Sequence, residues 1–264
     1  MEDYDDSKAS DELRTALQAA RVAADISRGY YDGNFTVTTK ADLTPVTQAD
    51  VECEQAIREV ILGQFPDHGF YGEETGRTRD DAECLWLVDP IDGTKGFVRH
   101  YPFFSTQIAL MRNGEIVLGA SSGTMMDELA WAEKGQGAWL NGTRLAVSDV
   151  SDPGRAAVST GNLRSLAQSD GWAPLADVIA RADRTRGYGD FYHYHLLASG
   201  KIEAVIESDV NILDIAALSI IVTESGGIFT DLNGDAIGLG TRSVLAANAG
   251  LHADYLQRLK GFVV

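Results

Sequence analysis

Two carboxylates three positions apart, Asp89 and Asp92, sit in a stretch that also contains Pro90, Gly93 and Thr94. Pro90 fixes its own φ and drives Asp89 into an extended conformation, so a preceding strand is expected to stop there and both acids to converge beyond its end. An oxygen-rich, sharply turned site of this kind suits a hard divalent cation. A helical turn starting at Gly93-Thr94 would aim free N–H groups and the Thr94 hydroxyl at the same point, where a phosphate oxygen could be held. Cation on one side and amides on the other make a site for a phosphate ester. The plainer alternative is a pair of ordinary turn dipeptides with solvated or capping acids.

Other acids decide between these readings. Gly72-Glu73-Glu74-Thr75 follows a short strand, His68 to Tyr71. Asp50 falls in the first turn of a helix opened by Thr47 or Gln48, where interaction with the helix dipole would explain it equally well. Asp214 sits where an N-cap belongs, ahead of an apolar helix in which Ala216 and Ala217 permit close packing and which Gly226 and Gly227 end.

The run Asp89-Pro90-Ile91-Asp92-Gly93-Thr94-Lys95-Gly96-Phe97 fits the Asp-Pro-x-Asp-x-Thr-x-x-Phe signature, and the chain resembles the inositol monophosphatase superfamily, magnesium-dependent and often lithium-sensitive phosphomonoesterases. The pieces occur in order over nearly the whole chain: a Lys-containing loop, Thr-x-x-Asp at Thr47 to Asp50, Gly-Glu-Glu, the double-Asp turn and the late Asp. The second signature, Trp-Asp-x-Ala-Ala followed by Glu-x-Gly-Gly, is matched at 213–217 and 224–227 except that Leu213 replaces Trp. That departure touches pocket shape more than metal chemistry.

The resemblance implies an α+β fold, a layered αβαβα sandwich of the inositol monophosphatase and fructose-1,6-bisphosphatase type. It implies Mg²⁺, two or three ions, held by Glu73, Asp89, Asp92, Asp214 and the Ile91 carbonyl. Asp50 would support a further ion through water and Lys40 would lie on a loop near it. Gly93 and Thr94 match phosphate-contacting positions. The implied reaction is direct hydrolysis by metal-activated water, which Glu73 and Thr94 orient and relieve of its proton. A Ser, Cys or His nucleophile is not indicated. A homodimer and inhibition by Li⁺ are implied by resemblance alone.

The leaving group is read from the second half. Gly189-Asp190-Phe191 replaces the small residues of the common inositol-phosphatase pattern, and Gly-Tyr-Gly-Asp with Asp42-Leu43-Thr44-Pro45-Val46-Thr47 looks like the histidinol-phosphatase branch. Histidinol phosphate carries an ammonium and an imidazole, for which Asp190 and Glu207 are apt partners. Asp190 could instead pair with Arg184 or Arg186, and Glu207 also suits inositol hydroxyls. Inositol-1-monophosphatase is therefore the alternative, followed by nucleotide 3′-phosphate or fructose bisphosphate phosphatases. A regulatory binding protein on the same fold is the reading from another class, opposed by the intact set of mutually repelling acids.

The elements that must position these residues are legible as spacing. Leu13, Ala16, Leu17, Ala20, Ala23 and Ile26 recur with helical period from Asp11 to near Gly29, after an acidic, frayed 1–10. The second helix runs through Ile57 and Ile61 and closes before Pro66. Strand-like runs at Ser105 to Met111, Ile116 to Ser121, Glu128 to Glu133, Ala138 to Leu140 and Arg144 to Val147, parted by Gly-containing turns, predict an antiparallel meander with the two helices on one face. The Pro/Gly-containing stretch at 151–154 divides an N-terminal α+β half with the metal site, 1–150, from a C-terminal α/β half that completes the pocket, 151–264. In the latter, strands at Ala156 to Ser159 and Ile202 to Ile206 flank helices at Trp172 to Arg181 and near Phe191 to Ala198.

The 264 residues carry a formal charge of −17, which repels phosphate polymers and anionic membranes and excludes nonspecific binding to either. An anionic substrate then needs local cations. Cys53 and Cys84 form no zinc or disulfide pattern. No export signal or membrane-spanning run is read, so a cytoplasmic location is expected.

Overall fold

The computed structural model describes residues 4, 6–33, 36–39, 45–79 and 81–259. Phe35, Lys40 and the Asp42-Leu43-Thr44 segment lie outside them. The helix Asp11–Tyr31 is capped by Ser10, whose hydroxyl accepts from Leu13 N at 3.0 Å. It buries Leu13, Ala16, Leu17, Ala20 and Ala23, the stripe its 3.6-residue period predicts. The helix Gln48–Gln64 packs beside it and adds Cys53, Ile57 and Ile61 to the same core.

These two helices cover one face of an eight-stranded sheet, in the order Thr143–Arg144, Ala138–Leu140, Glu128–Glu133, Glu115–Gly123, Ser105–Arg112, Cys84–Asp92, Gly69–Gly72, Gly76–Thr78. Neighbours are antiparallel except Gly69–Gly72, which runs parallel to Cys84–Asp92 and so delivers the Gly-Glu-Glu turn and the double-Asp turn to one edge. The opposite face packs on Tyr192–Ala198 and Ile212–Glu224. Ile212–Glu224 is apolar on nearly every side because a second sheet lies beyond it. Gly119 sets the closeness: a Cβ there would stand 2.7 Å from Ala217 Cα.

The second sheet, in the order Arg184–Arg186, Ala157–Gly161, Ala204–Ser208, Ser243–Asn248, Gly227–Thr230, is parallel over its first three strands and antiparallel over the rest. Its far face packs Val158, Ile206 and Leu245 against Leu175, Val178 and Tyr255 of the outer helices Trp172–Arg181 and His252–Leu259. The layers are therefore αβαβα, the expected α+β sandwich.

Three local expectations need correction. Tyr4, placed in a frayed terminus, packs edge-on against Trp131 and Trp139 with ring centroids 5.3 and 5.1 Å away. The last strand of the meander is Thr143–Arg144, not Arg144 to Val147. Leu145 N still bonds Ala138 O, but Val147 N turns to Ser225 O at 3.0 Å and leaves the ladder. The strand read as ending at Asp89 continues to Asp92.

Candidate active site

The longer strand has a physical cause. Asp89 pairs with Gln107 and Asp92 with Ser105, with an irregularity between them that lodges Pro90, which has no N–H to place in a ladder. Thr106 Oγ1 donates to Pro90 O at 2.9 Å and Ile91 N donates to Asp89 Oδ1 at 3.1 Å. The bulge thus does what the expected strand end would have done, turning both acids toward one point.

Asp214 reaches that point from the helix Ile212–Glu224. Its N-cap is Asn211 rather than Asp214, because Asn211 Oδ1 accepts from Leu213 N at 2.7 Å while Asp214, three residues in, returns the bond: Asn211 N donates to Asp214 Oδ2 at 3.1 Å. One oxygen each from Asp89, Asp92 and Asp214 lie within 4.8 Å of one another. Burial pushes the Asp89 and Asp92 carboxyls well above the usual range, and their neighbours add to it: Glu73 beside Asp89, Asp190 beside Asp92. Burial also raises Asp214 to about 7, against the pull of its bonds from Asn211. Among the described residues, no basic side chain is named among the influences on these three acids. Such a cluster holds protons or a cation, and an all-oxygen donor set fits Mg²⁺.

Glu73 is brought in by its turn. Glu73 N donates to Val88 O at 3.2 Å, and the next two amides, Glu74 N and Thr75 N, donate to the two oxygens of Glu54 at 2.7 and 2.8 Å. Gly72 lies flat on that carboxylate, since a Cβ there would stand 2.4 Å from Glu54 Cδ. Asp50 is fully buried, with Oδ2 taking Thr47 N at 2.7 Å and Thr47 Oγ1 at 2.6 Å. Its Oδ1 takes the Thr94 hydroxyl at 3.1 Å, and Thr94 Oγ1 also lies 3.0 Å from Ile91 O. Burial raises the Asp50 carboxyl, partly offset by the Thr47 and Thr94 bonds. Gly93 caps the short helix Thr94–Val98 at φ +87°, and a Cβ would meet Phe103 O at 2.9 Å, so glycine is required twice over.

On the other side, Asp190 follows Gly189 in a left-handed turn, φ +46° and +73°, and lines a cavity of about 20 Å³ with Asp92, Asp214, Glu207, Tyr194 and Asn162. Glu207 is buried at the end of Ala204–Ser208. It accepts from Tyr194 OH at 2.6 Å, has the buried His193 ring 3.3 Å away, and would meet a Cβ on Gly161 at 2.0 Å. Burial and then Glu207 raise the Asp190 carboxyl, against His193. The alternative of an Asp190 ion pair with Arg184 or Arg186 is not realised among the described residues; Arg186 instead donates to Thr185 O at 2.7 Å. Lys40 lies outside the described residues.

The family model described as "Inositol monophosphatase family" matches residues 9–261. The chain belongs to that family. It is 37% identical over 258 residues to a histidinol-phosphatase of Mycobacterium tuberculosis, spanning 94% of this chain and 98% of that protein. It is 33% identical over 254 residues to an inositol-1-monophosphatase of Caulobacter vibrioides, spanning 92% and 99%. The solved extragenic suppressor protein suhB of Bartonella henselae superposes with a TM-score of 0.88 at 29% identity, over 95% of this chain and 99% of that one. The protein is thus a phosphoric monoester hydrolase of a Mg²⁺-dependent family, and its acidic cluster can bind a metal.

Two features of this inositol monophosphatase family member were not read from sequence. Glu54 carries the Glu73 turn, and its signal was available: it falls on the stripe of Asp50, Ile57 and Ile61, where a carboxylate has no business unless it is satisfied. Tyr194 donates to Glu207 and the His193 ring lies beside it, both from the helix Tyr192–Ala198, in which the sequence reading gave neither residue a role.

Proposed function

We propose that this phosphatase converts L-histidinol phosphate and water to L-histidinol and phosphate. Glu73, Asp89, Asp92, Asp214 and the Ile91 carbonyl would hold Mg²⁺, which when bound supplies positive charge to the phosphate and acidifies a neighbouring water. Gly93 and Thr94 hold the phosphate. A proton arriving at Thr94 Oγ1 has an onward acceptor in Asp50 Oδ1, 3.1 Å away, and the raised Asp50 carboxyl is tuned toward accepting it. Glu73, fixed through Glu54, orients the attacking water. No phosphoenzyme is needed. Two or three bound ions, Li⁺ inhibition and a homodimer belong to the same proposal; metal titration, an inhibition assay and sedimentation velocity read them.

The substrate rests on one observation. Asp190 and Glu207 line one cavity with Asp92 and Asp214, and among the described residues no basic side chain lines it. A leaving alcohol that brings its own ammonium relieves that charge, whereas a neutral polyol does not. Relatives named histidinol-phosphatase at up to 37% identity support the reading, and a relative named inositol-1-monophosphatase keeps the second one alive. Phosphate release with Mg²⁺ is measured on L-histidinol phosphate and on myo-inositol 1-phosphate, with an EDTA control. Preference for histidinol phosphate is expected; preference for inositol phosphate overturns the substrate assignment while leaving the metal site standing.

A further inference from the structure

Behind Asp92 runs a continuous buried hydrogen-bond chain that the hydrolysis does not touch. Ser105 Oγ donates to Asp92 Oδ2 at 3.1 Å, and Gln107 Nε2 lies 2.8 Å from Ser105 Oγ and 3.0 Å from Ser121 Oγ. Ser121 Oγ lies 2.9 Å from His195 Nε2, and His195 Nδ1 lies 2.8 Å from Glu128 Oε2. Ser105, Gln107 and Ser121 are fully buried and His195 nearly so, while the Glu128 side chain is 19% exposed. The chain crosses three adjacent strands and the helix Tyr192–Ala198 to end at the surface.

Its direction follows from one tautomer. With a neutral His195 ring giving its Nδ1 hydrogen to the Glu128 carboxylate, which only accepts, Nε2 is bare. Ser121 donates to that nitrogen and turns a lone pair to Gln107. Gln107 therefore points its NH₂ at both serines, which leaves the Ser105 hydrogen for Asp92. The opposite amide orientation would draw both serine hydrogens to Oε1 and take the bond away from Asp92. In the observed orientation Gln107 Oε1 is buried without a partner among the described residues, a loss that the rest of the hydrogen-bond chain imposes.

We infer that Glu128, His195, Ser121, Gln107 and Ser105 form a positioning relay that holds the Asp92 carboxylate in its metal-binding orientation. The relay rests on the reading of Asp92 as a metal ligand, and none of its members touches substrate. Partners that orient a metal-binding side chain in this way are commonly worth about 10–100-fold in affinity.

The test is calorimetric titration of Mg²⁺ into the full-length metal-free protein. His195→Phe keeps a ring against Phe191, whose centroid is 4.9 Å away and nearly perpendicular, but offers Ser121 no acceptor. His195→Gln gives up the ring and keeps an acceptor. The relay predicts about tenfold weaker Mg²⁺ binding in the Phe variant and near-native binding in the Gln variant; a packing role predicts the reverse. Equal affinity in the two variants, or native affinity in the Phe variant, overturns it. Ser121→Ala, a change of one atom, guards against a His195 variant that does not fold and is also expected to lose about tenfold. Asp92→Asn separates the two readings. If it binds Mg²⁺ normally, the metal assignment fails; if it loses Mg²⁺ while Ser121→Ala and His195→Phe do not, only the relay fails.

Discussion

Asp89, Asp92 and Asp214 face one another across less than 4.8 Å with further acids behind them, whereas Glu207, 3% exposed, is met by the Tyr194 hydroxyl and the His193 ring. Both ends of the cleft are made of buried carboxylates, each with a donor of its own, but the first gathers three acids within 4.8 Å while at the second the Tyr194 hydroxyl meets Glu207 at 2.6 Å. At the first end, repulsion is relieved by what binds, a proton or a cation. On the proposed reading that end does the chemistry. The other end is preset, with Glu207 braced and Asp190 held in a left-handed turn, and on the proposed reading it chooses among leaving groups.

If the two ends differ in this way, substitutions at the first should stop turnover of every substrate and those at the second should change only preference. The largest effect is expected at Asp92→Asn: phosphate release from both histidinol phosphate and inositol phosphate should fall about 10²–10³-fold, as when a main electrostatic contributor to a transition state is removed. A loss confined to one substrate would erase the distinction. Glu54→Gln is next. Its amide cannot accept at both positions from Glu74 N and Thr75 N, so kcat should fall about 10–100-fold with KM little changed and the circular-dichroism spectrum retained.

Asp190→Asn sharpens the comparison from the other side. It should cost about tenfold in kcat/KM for histidinol phosphate, the worth of one charge-assisted hydrogen bond, and leave inositol phosphate turnover alone. The smallest effect is on stability. A carboxyl whose folded pKa is raised stabilises the fold least once ionised, so the metal-free protein should lose stability as pH climbs from the unfolded value near 4 through the Asp214 value of about 7. Its Tm should drop between pH 5 and 8, by roughly 2–4 °C per kcal/mol of repulsion. Saturating Mg²⁺ should remove the drop. A Tm that rises over that interval without metal would contradict the uncompensated cluster.

The same contrast governs what was legible in the sequence. Asp89, Asp92 and Thr94 are close in sequence and stood out as a turn, periodicity gave the two helices and the meander, and the layers that gather Asp50, Glu73 and Asp214 around them came from the family resemblance. What local spacing does not carry is cross-strand and cross-layer partnership. The bulge at Pro90 depends on pairing with Ser105 and Gln107, and the cap at Asn211 was missed because Asp214 is as good a capping residue by type. The buried stripe marks Glu54 as a carboxylate that must be satisfied, but its partner 20 residues on, like the Tyr194–Glu207 pair 13 residues apart, becomes visible only when the elements are docked.

Asp89, Asp92 and Asp214 are expected to close on one divalent cation. Anomalous difference density from a crystal soaked in Mn²⁺ tests it most directly. The predicted result is a peak about 2.0–2.4 Å from one carboxylate oxygen of each of the three residues. Density without a peak there, in crystals of protein that releases phosphate with Mn²⁺ in solution, would contradict it.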